Sequence, residues 1–133
     1  MFNLAFTIGS DTRYLALLRN MVGAVAKLAG ESRFPTTARQ AVSLALIEAV
    51  DNAIFHAHSK RVDMPIAVAL SVGSDQIRVE VEDQGGGFKE DGEMLVPEMA
   101  TSGRGLFIMR QVMHRVERET DGSRHRVLMY YDL

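Results

Sequence analysis

Phe2, Leu4, Phe6 and Ile8 alternate with Asn3, Ala5 and Thr7, the period of two expected of a strand with one buried face. Ser10, Asp11 and Thr12 then offer helix caps. Leu15, Leu18, Met21, Val22, Val25 and Ala29 recur at three- and four-residue spacing up to Gly30, which predicts an amphipathic helix over about 13–29. Pro35-Thr36-Thr37 opens a second helix reaching about His58, with Thr37 and Gln40 spaced as a capping box. Ile66, Val68, Leu70 and Val72 alternate with small residues. Gly73-Ser74-Asp75 turns the chain, and Ile77, Val79 and Val81 alternate with Arg78, Glu80 and Glu82, so a hairpin with one buried face is expected. From Gly85 to Gly103 no period is sustained, which predicts a long loop of the kind that forms lids or binding loops. Leu106, Met109, Met113 and Val116 return to helical spacing up to about Arg115, and Val127, Met129 and Tyr131 alternate as a last strand. The order β-α-α-β-β-loop-α-β-β, with strands clustered late, predicts an α+β fold. Its form is a two-layer α/β sandwich, with helices on one face of a mixed, mostly antiparallel sheet.

Composition narrows the function classes. At 133 residues and 47% apolar the chain fits one globular domain over 1–133, with a core large enough to hold without staples. It has no cysteine, which removes a disulfide framework, a thiolate nucleophile, a Cys-based zinc site and an iron–sulfur cluster. Fifteen basic residues against seventeen acidic ones provide no dense positive face for a nucleic-acid backbone, so no direct nucleic-acid partner is expected. No apolar run approaches the ~18 residues of a membrane span, and the first residues lack the pattern of a secretory signal. A cytoplasmic location with no membrane partner is therefore expected.

The helix at 36–58 is nearly apolar all round, with Val42, Leu46, Val50, Ala53 and Ala57 in one stripe widened by Ile47 and Ile54. Glu48 and Asn52 interrupt it at i and i+4, one turn apart on one side, with His56 a turn further on. Two readings fit that strip. It faces water, or it is an oxygen-rich strip in which Asn52 provides one of the few protein oxygens Mg²⁺ needs and Glu48 deprotonates a hydroxyl or water. Asp83 falls in phase with Ile77, Val79 and Val81, so its carboxylate points between sheet and helices and wants donors. An exocyclic amine such as adenine N6 provides them, whereas a guanine carbonyl is repelled; the other reading is an Asx-type bond that caps the turn. Gly85, Gly86 and Gly87 let backbone come close to a ligand or simply mark that turn. Gly103 and Gly105 flank Arg104 before a helix, a place suited to phosphate or to a flexible loop end. His58, His114 and His125 have no mutual metal spacing, and His56 by itself reads as a hydrogen-bonded structural residue.

Taken together, Glu48-x-x-x-Asn52-Ala53-x-x-His56-Ala57, Glu82-Asp83-x-Gly85-x-Gly87-Phe88 and Gly103-x-Gly105-Leu106 resemble the three ATP-binding boxes of the GHKL superfamily. This is the Bergerat-fold group of gyrase, heat-shock chaperone and sensor histidine kinase ATPases. The short domain, ALIEAVDNAIFHA and SGRGLFIMRQVMHRVE most resemble the anti-sigma factor serine kinases of the RsbW and SpoIIAB type. The resemblance implies Glu48 as catalytic base, Asn52 as the Mg²⁺ holder and Asp83 as the reader of adenine. It also implies that Gly85 and Gly87 shape the base pocket and that residues 88–102 form an ATP lid. Gly103, Arg104, Gly105 and Leu106 would bind phosphate through backbone N–H groups, and His56 would join the nucleotide-binding set. The implied cofactors are ATP and Mg²⁺. The implied partners are a small STAS-type anti-anti-sigma protein, phosphorylated on serine, a sequestered sigma factor and a second copy in a homodimer. Two positions depart from the pattern: Phe55 stands where relatives often carry a charge, and His125 where they tend to show a Gly-Thr pair near the adenine. An ATP-gated binding protein without phosphotransfer and a detached histidine-kinase catalytic module are the competing readings.

Overall fold

The computed structural model of the chain describes residues 2–57, 64–84 and 105–133. In chain order these form β1 (Phe2–Gly9), α1 (Tyr14–Ala29), α2 (Thr36–Asn52), β2 (Pro65–Val72), β3 (Gln76–Asp83), α3 (105–112), β4 (Arg115–Asp121) and β5 (Arg124–Asp132). The α2 helix runs on into a π-helical turn, Ala53–Ala57.

The strands make one sheet in the order β1-β2-β3-β5-β4, and all four ladders are antiparallel. The mixed sheet anticipated from the element order is thus wholly antiparallel among the described strands. Its alternation is as the sequence predicts. Ile66, Val68, Leu70 and Val72 of β2 lie beside Ile77, Val79 and Val81 of β3, and all seven are buried on the face that carries the helices. Leu18, Val22 and Val25 of α1 and Val42, Leu46 and Val50 of α2 close the same core, with Met109 of α3 and Met129 of β5. The opposite face carries a charge network in which Arg78 meets Glu80 along β3 at 3.2 Å and Arg126 reaches across from β5 to Glu80 and Glu82 at 3.6 and 3.7 Å. Two layers result, as expected. Among the described residues no helix is long and apolar enough to cross a membrane.

Helix boundaries depart from the sequence pattern where local chemistry overrides it. Thr37 and Gln40 do not form the expected capping box, because Pro35, extended at ψ 158°, takes the N-cap position and leaves Thr37 inside the first turn. The Glu31 carboxylate does the work instead, accepting from the Thr36 backbone N–H and hydroxyl at 3.0 Å each. At α1 the N-cap is Arg13, without a side-chain cap, while Asp11 accepts from the Arg13 N–H at 2.9 Å. α3 ends at 112 and not near Arg115. His114 turns away there: its N–H donates to the Tyr130 carbonyl at 2.8 Å and its Nδ1 accepts from the Asp132 N–H at 2.9 Å, which starts β4 and puts Val116 opposite Met129.

The Glu31 cap is testable. Its two bonds from Thr36 hold the carboxyl below its ordinary range. A lowered folded-state pKa means that this stabilisation is present above the unfolded pKa and is lost as pH falls through the folded one. Glu31→Ala is expected to lower the urea midpoint at neutral pH, an effect that disappears in acid, while Thr37→Ala leaves it unchanged. A loss for Thr37→Ala equal to that for Glu31→Ala would restore the capping box.

Candidate functional site

Ala45, Leu46, Ala49 and Val50 pin α2 into the core. That packing turns Glu48 and Asn52, four residues apart, to a common, half-buried side. Gly105 of α3 meets them there. A Cβ on Gly105 would stand 3.1 Å from both terminal atoms of the Asn52 amide and 3.2 Å from Glu48 Oε1, so any side chain there presses on both groups. Partial burial is the larger cause that raises the Glu48 pKa above its ordinary value, and the neighbouring Asp51 charge adds to it. A carboxyl so placed holds a proton more readily than a free glutamate, the property a general base near neutral pH requires. Leu106, next along α3, packs half-buried against the core.

The second group lies at one end of the sheet. Asp83 closes β3 with 4% of its surface exposed, and His125, equally buried, is its cross-strand partner on β5. His125 Nδ1 and Asp83 Oδ2 are 3.6 Å apart. Ser10 at the same end is buried too, its hydroxyl donating to the Met64 carbonyl at 2.7 Å and tying the exit of β1 to the entry of β2. α2 packs on both β3 and β5, so the two groups share one helix–sheet layer.

The profile of the histidine kinase-like ATPase domain matches residues 10–131, nearly the whole chain and every element from α1 to β5. The chain belongs to that family. No curated protein sequence matches it. Among solved structures it is similar to the RsbU and RsbW domains of a protein from Mycobacterium tuberculosis, at 16% identity and a TM-score of 0.70, covering 98% of this chain and 32% of that one. It is also similar to the histidine kinase domain of a blue-light activated histidine kinase from Erythrobacter litoralis, at 24% identity and a TM-score of 0.61, over 90% of this chain and 61% of the other. For the histidine kinase AdeS of Acinetobacter baumannii the values are 14%, 0.54, 99% and 68%. At these identities the likeness is one of fold, and the chain spans about a third of the first of these proteins.

For a histidine kinase-like ATPase domain, ATP binding follows from membership, and the residues present fit the nucleotide's usual Mg²⁺ ion. Among the described residues no three acidic or histidine side chains cluster as a metal cage. One amide oxygen beside one carboxylate is the sparse donor set of an ion held mostly by phosphates and water. Of the residues expected at the site, the structure brings Glu48, Asn52 and Gly105 together. It places Asp83 at the sheet end, and His56 lies within the π-helical turn. Gly85, Gly87, Gly103 and Arg104, and the lid expected over 88–102, lie outside the described residues.

Two features of this ATPase domain go beyond what the sequence reading drew from the residues. The π-helical turn directly follows Asn52, and such turns often occur where a helix serves a site. The other is His125. The alternation that turns Val127, Met129 and Tyr131 inward extends backward to His125, just as that of β3 extends forward to Asp83. Phe55, the other departure, is 39% exposed on the π-helical turn.

Proposed function

We propose that this domain is an ATP-dependent protein serine kinase acting as an anti-sigma factor. It phosphorylates a small STAS-type anti-anti-sigma protein and, as a homodimer in the cytoplasm, sequesters a sigma factor. The observation that carries the kinase reading is the convergence of Glu48 and Asn52 on Gly105 of α3. Phosphotransfer needs a proton acceptor beside the Mg²⁺-holding amide, and Glu48 stands at that place. The likeness to a structure that contains an RsbW domain supports the anti-sigma reading.

In this reading Asp83 accepts from the adenine amine and the Asn52 amide oxygen holds Mg²⁺, which when bound neutralises charge on the phosphate oxygens. Glu48 accepts the proton of the partner's serine hydroxyl as its oxygen bonds to the γ-phosphorus. The bond from that phosphorus to the bridging oxygen breaks and ADP leaves. Positioning and electrostatics suffice for such a transfer, with no covalent enzyme intermediate. In this reading the backbone N–H groups of Gly105 and Leu106 serve the phosphates.

The test is incubation of the chain with γ-labelled Mg-ATP and soluble extract of its source cells, followed by acid treatment. Acid-stable label on a small protein is expected. Acid-labile label would replace this reading with a histidine-kinase module, and no label despite measured ATP binding would leave an ATP-gated binding protein. A second prediction concerns the base. Asp83→Asn swaps one acceptor oxygen for a donor facing the adenine amine, so ATP and ADP should weaken alike, by about tenfold or more for a lost hydrogen bond to a charged group. Equal affinities of wild type and variant in calorimetry would remove Asp83 from the base pocket.

A further inference from the structure

We infer that the outer edge of β1 and the adjoining flank of α1 are where a second copy of this chain docks, strand against strand and helix against helix about a two-fold axis. The inference deepens the homodimer of the reading above and rests on it.

Two independent observations meet on that side of the molecule. The first is the contrast between the two edges of the sheet. β4, RVERETD, carries five charged residues, the usual protection of an open edge, whereas β1, FNLAFTIG, carries no charge and no proline, and among the described strands it pairs only with β2. Phe2, Leu4 and Phe6 face the helix layer but remain only partly buried, where their β2 partners Val72, Leu70 and Val68 are fully covered. The second observation is that α1 has two apolar stripes. Leu18, Val22 and Val25 face the core. Tyr14, Leu17, Met21, Ala24 and Leu28 follow a three-four-three-four spacing on another flank, with Leu17 45% and Leu28 70% exposed. That flank points away from α2, because Arg19 and Gly23, on the other side of the core stripe, line a groove shared with Gln40, Ser43 and Ile47 of α2. α1 packs on β1 while α2 packs on β3 and β5, so the free stripe overhangs the bare edge.

A second copy fits both features at once. The eight residues of β1 and the sixteen of α1 each span about 25 Å, so one two-fold axis can cross the middle of both. Antiparallel pairing of β1 with β1 that keeps the helices on one face sets Phe2, Leu4 and Phe6 of one copy beside those of the other. In the helix layer the same axis opposes Leu17 to Leu28 of the second copy and Met21 to Ala24. Lys27, the charge nearest the stripe, then falls beside Asn20 of the second copy and not beside its own counterpart. A patch ~25 Å long and two layers, roughly 20 Å, deep projects to ~500 Å² per copy, and the ~1,000 Å² total is what a specific interface needs. An extended peptide would pair the edge and leave the α1 stripe bare, and a lone helix would cover the stripe and leave the edge unpaired.

Analytical ultracentrifugation of the full chain tests the surface, with circular dichroism to check folding. Wild type should sediment as a dimer. The double variant Leu17→Glu/Leu28→Glu puts carboxylates of both copies into the seam and should raise the dimer dissociation constant about a hundredfold or more. Leu44→Glu, at a leucine of α2 that is 42% exposed, should leave it unchanged. Amide hydrogen exchange reads the strand: β1 should exchange faster in the double variant than in wild type, with β2 and β3 unaltered. A dimer that survives the double substitution at wild-type affinity overturns the inference and leaves the homodimer to another surface. Equal weakening by Leu44→Glu overturns it too. A weakened dimer with β1 exchange as in wild type overturns the strand pairing. If the double variant does not fold, Leu28→Glu alone decides. A monomeric wild type defeats the homodimer itself and this surface with it, and leaves the nucleotide reading untouched.

Discussion

Glu48→Gln is expected to lower phosphoryl transfer by about 10²–10⁴-fold, the usual worth of a general base, while leaving the Mg-ATP dissociation constant unchanged. The substitution keeps the shape that fits against Gly105 and removes only the ability to take a proton. The same carboxylate has a signature in pH. Because burial and Asp51 raise its pKa, wild-type kcat/KM should climb with pH through a range above that of an ordinary glutamate, and the variant should lack that limb. Stability moves the opposite way. A raised folded-state pKa means that folding favours the protonated form, so its contribution is fully present below the unfolded pKa and is lost as pH rises through the folded one. The Gln side chain carries no charge to desolvate. Its advantage over wild type in thermal unfolding should therefore grow across that rise and then level off. Transfer at the wild-type rate by Glu48→Gln would remove the carboxylate from the chemistry, whatever the stability curves show.

The parts of the fold that were legible share one property: their burial is decided by a period that the residues themselves display. The β2–β3 hairpin is the clearest case, with seven alternating apolar residues and seven buried side chains. β4 is the opposite case. Its sequence RVERETD holds one apolar residue, because an edge strand paired only to β5 has little to bury, and Val116 alone was absorbed into the preceding helix by its three-residue spacing from Met113. No period encodes the turn at His114, which is set by its bonds to β5. Pro35 and Glu31 show the same limit at α2. The capping partner is five residues from Thr36 along the chain, outside the usual three-residue capping pattern.

The site divides in a similar way. Glu48 and Asn52 stood out because polar residues in a nearly apolar helix need a reason, and Asp83 because a carboxylate continued an inward-facing row. Gly105 was noted as half of a Gly-x-Gly pair, with no hint that it would abut the Asn52 amide. That contact joins residues more than fifty positions apart and exists only once α2 and α3 are both in place. His125 carried the inward phase as plainly as Asp83. A histidine admits a satisfied structural role more readily than a lone carboxylate does, so the pattern alone did not single it out.

Gly105→Val should be the most damaging change of a residue that has no side chain of its own. The added Cβ lies 3.1 Å from the Asn52 amide and 3.2 Å from Glu48 Oε1, tighter than ordinary contact, and two further methyl groups branch from it. Either α3 shifts or the two side chains leave their places. Overpacking of this kind costs about 1–3 kcal/mol in stability. The functional loss should exceed it, since misplacement of catalytic groups by an ångström lowers rates about 10²-fold. Gly105→Ala should fall between, because the end of the Asn52 side chain can yield by tenths of an ångström. Gly23→Ala provides the control. It too is a helical glycine, but its added Cβ meets nothing within 4 Å, so the change should stabilise the chain by about 0.5–1 kcal/mol through helix propensity and leave nucleotide binding untouched. Urea unfolding and Mg-ATP calorimetry on the three variants distinguish the two effects. If Gly105→Val loses affinity only in proportion to its stability, the glycine matters for packing alone and the approach of α3 to Glu48 and Asn52 is not what shapes the site.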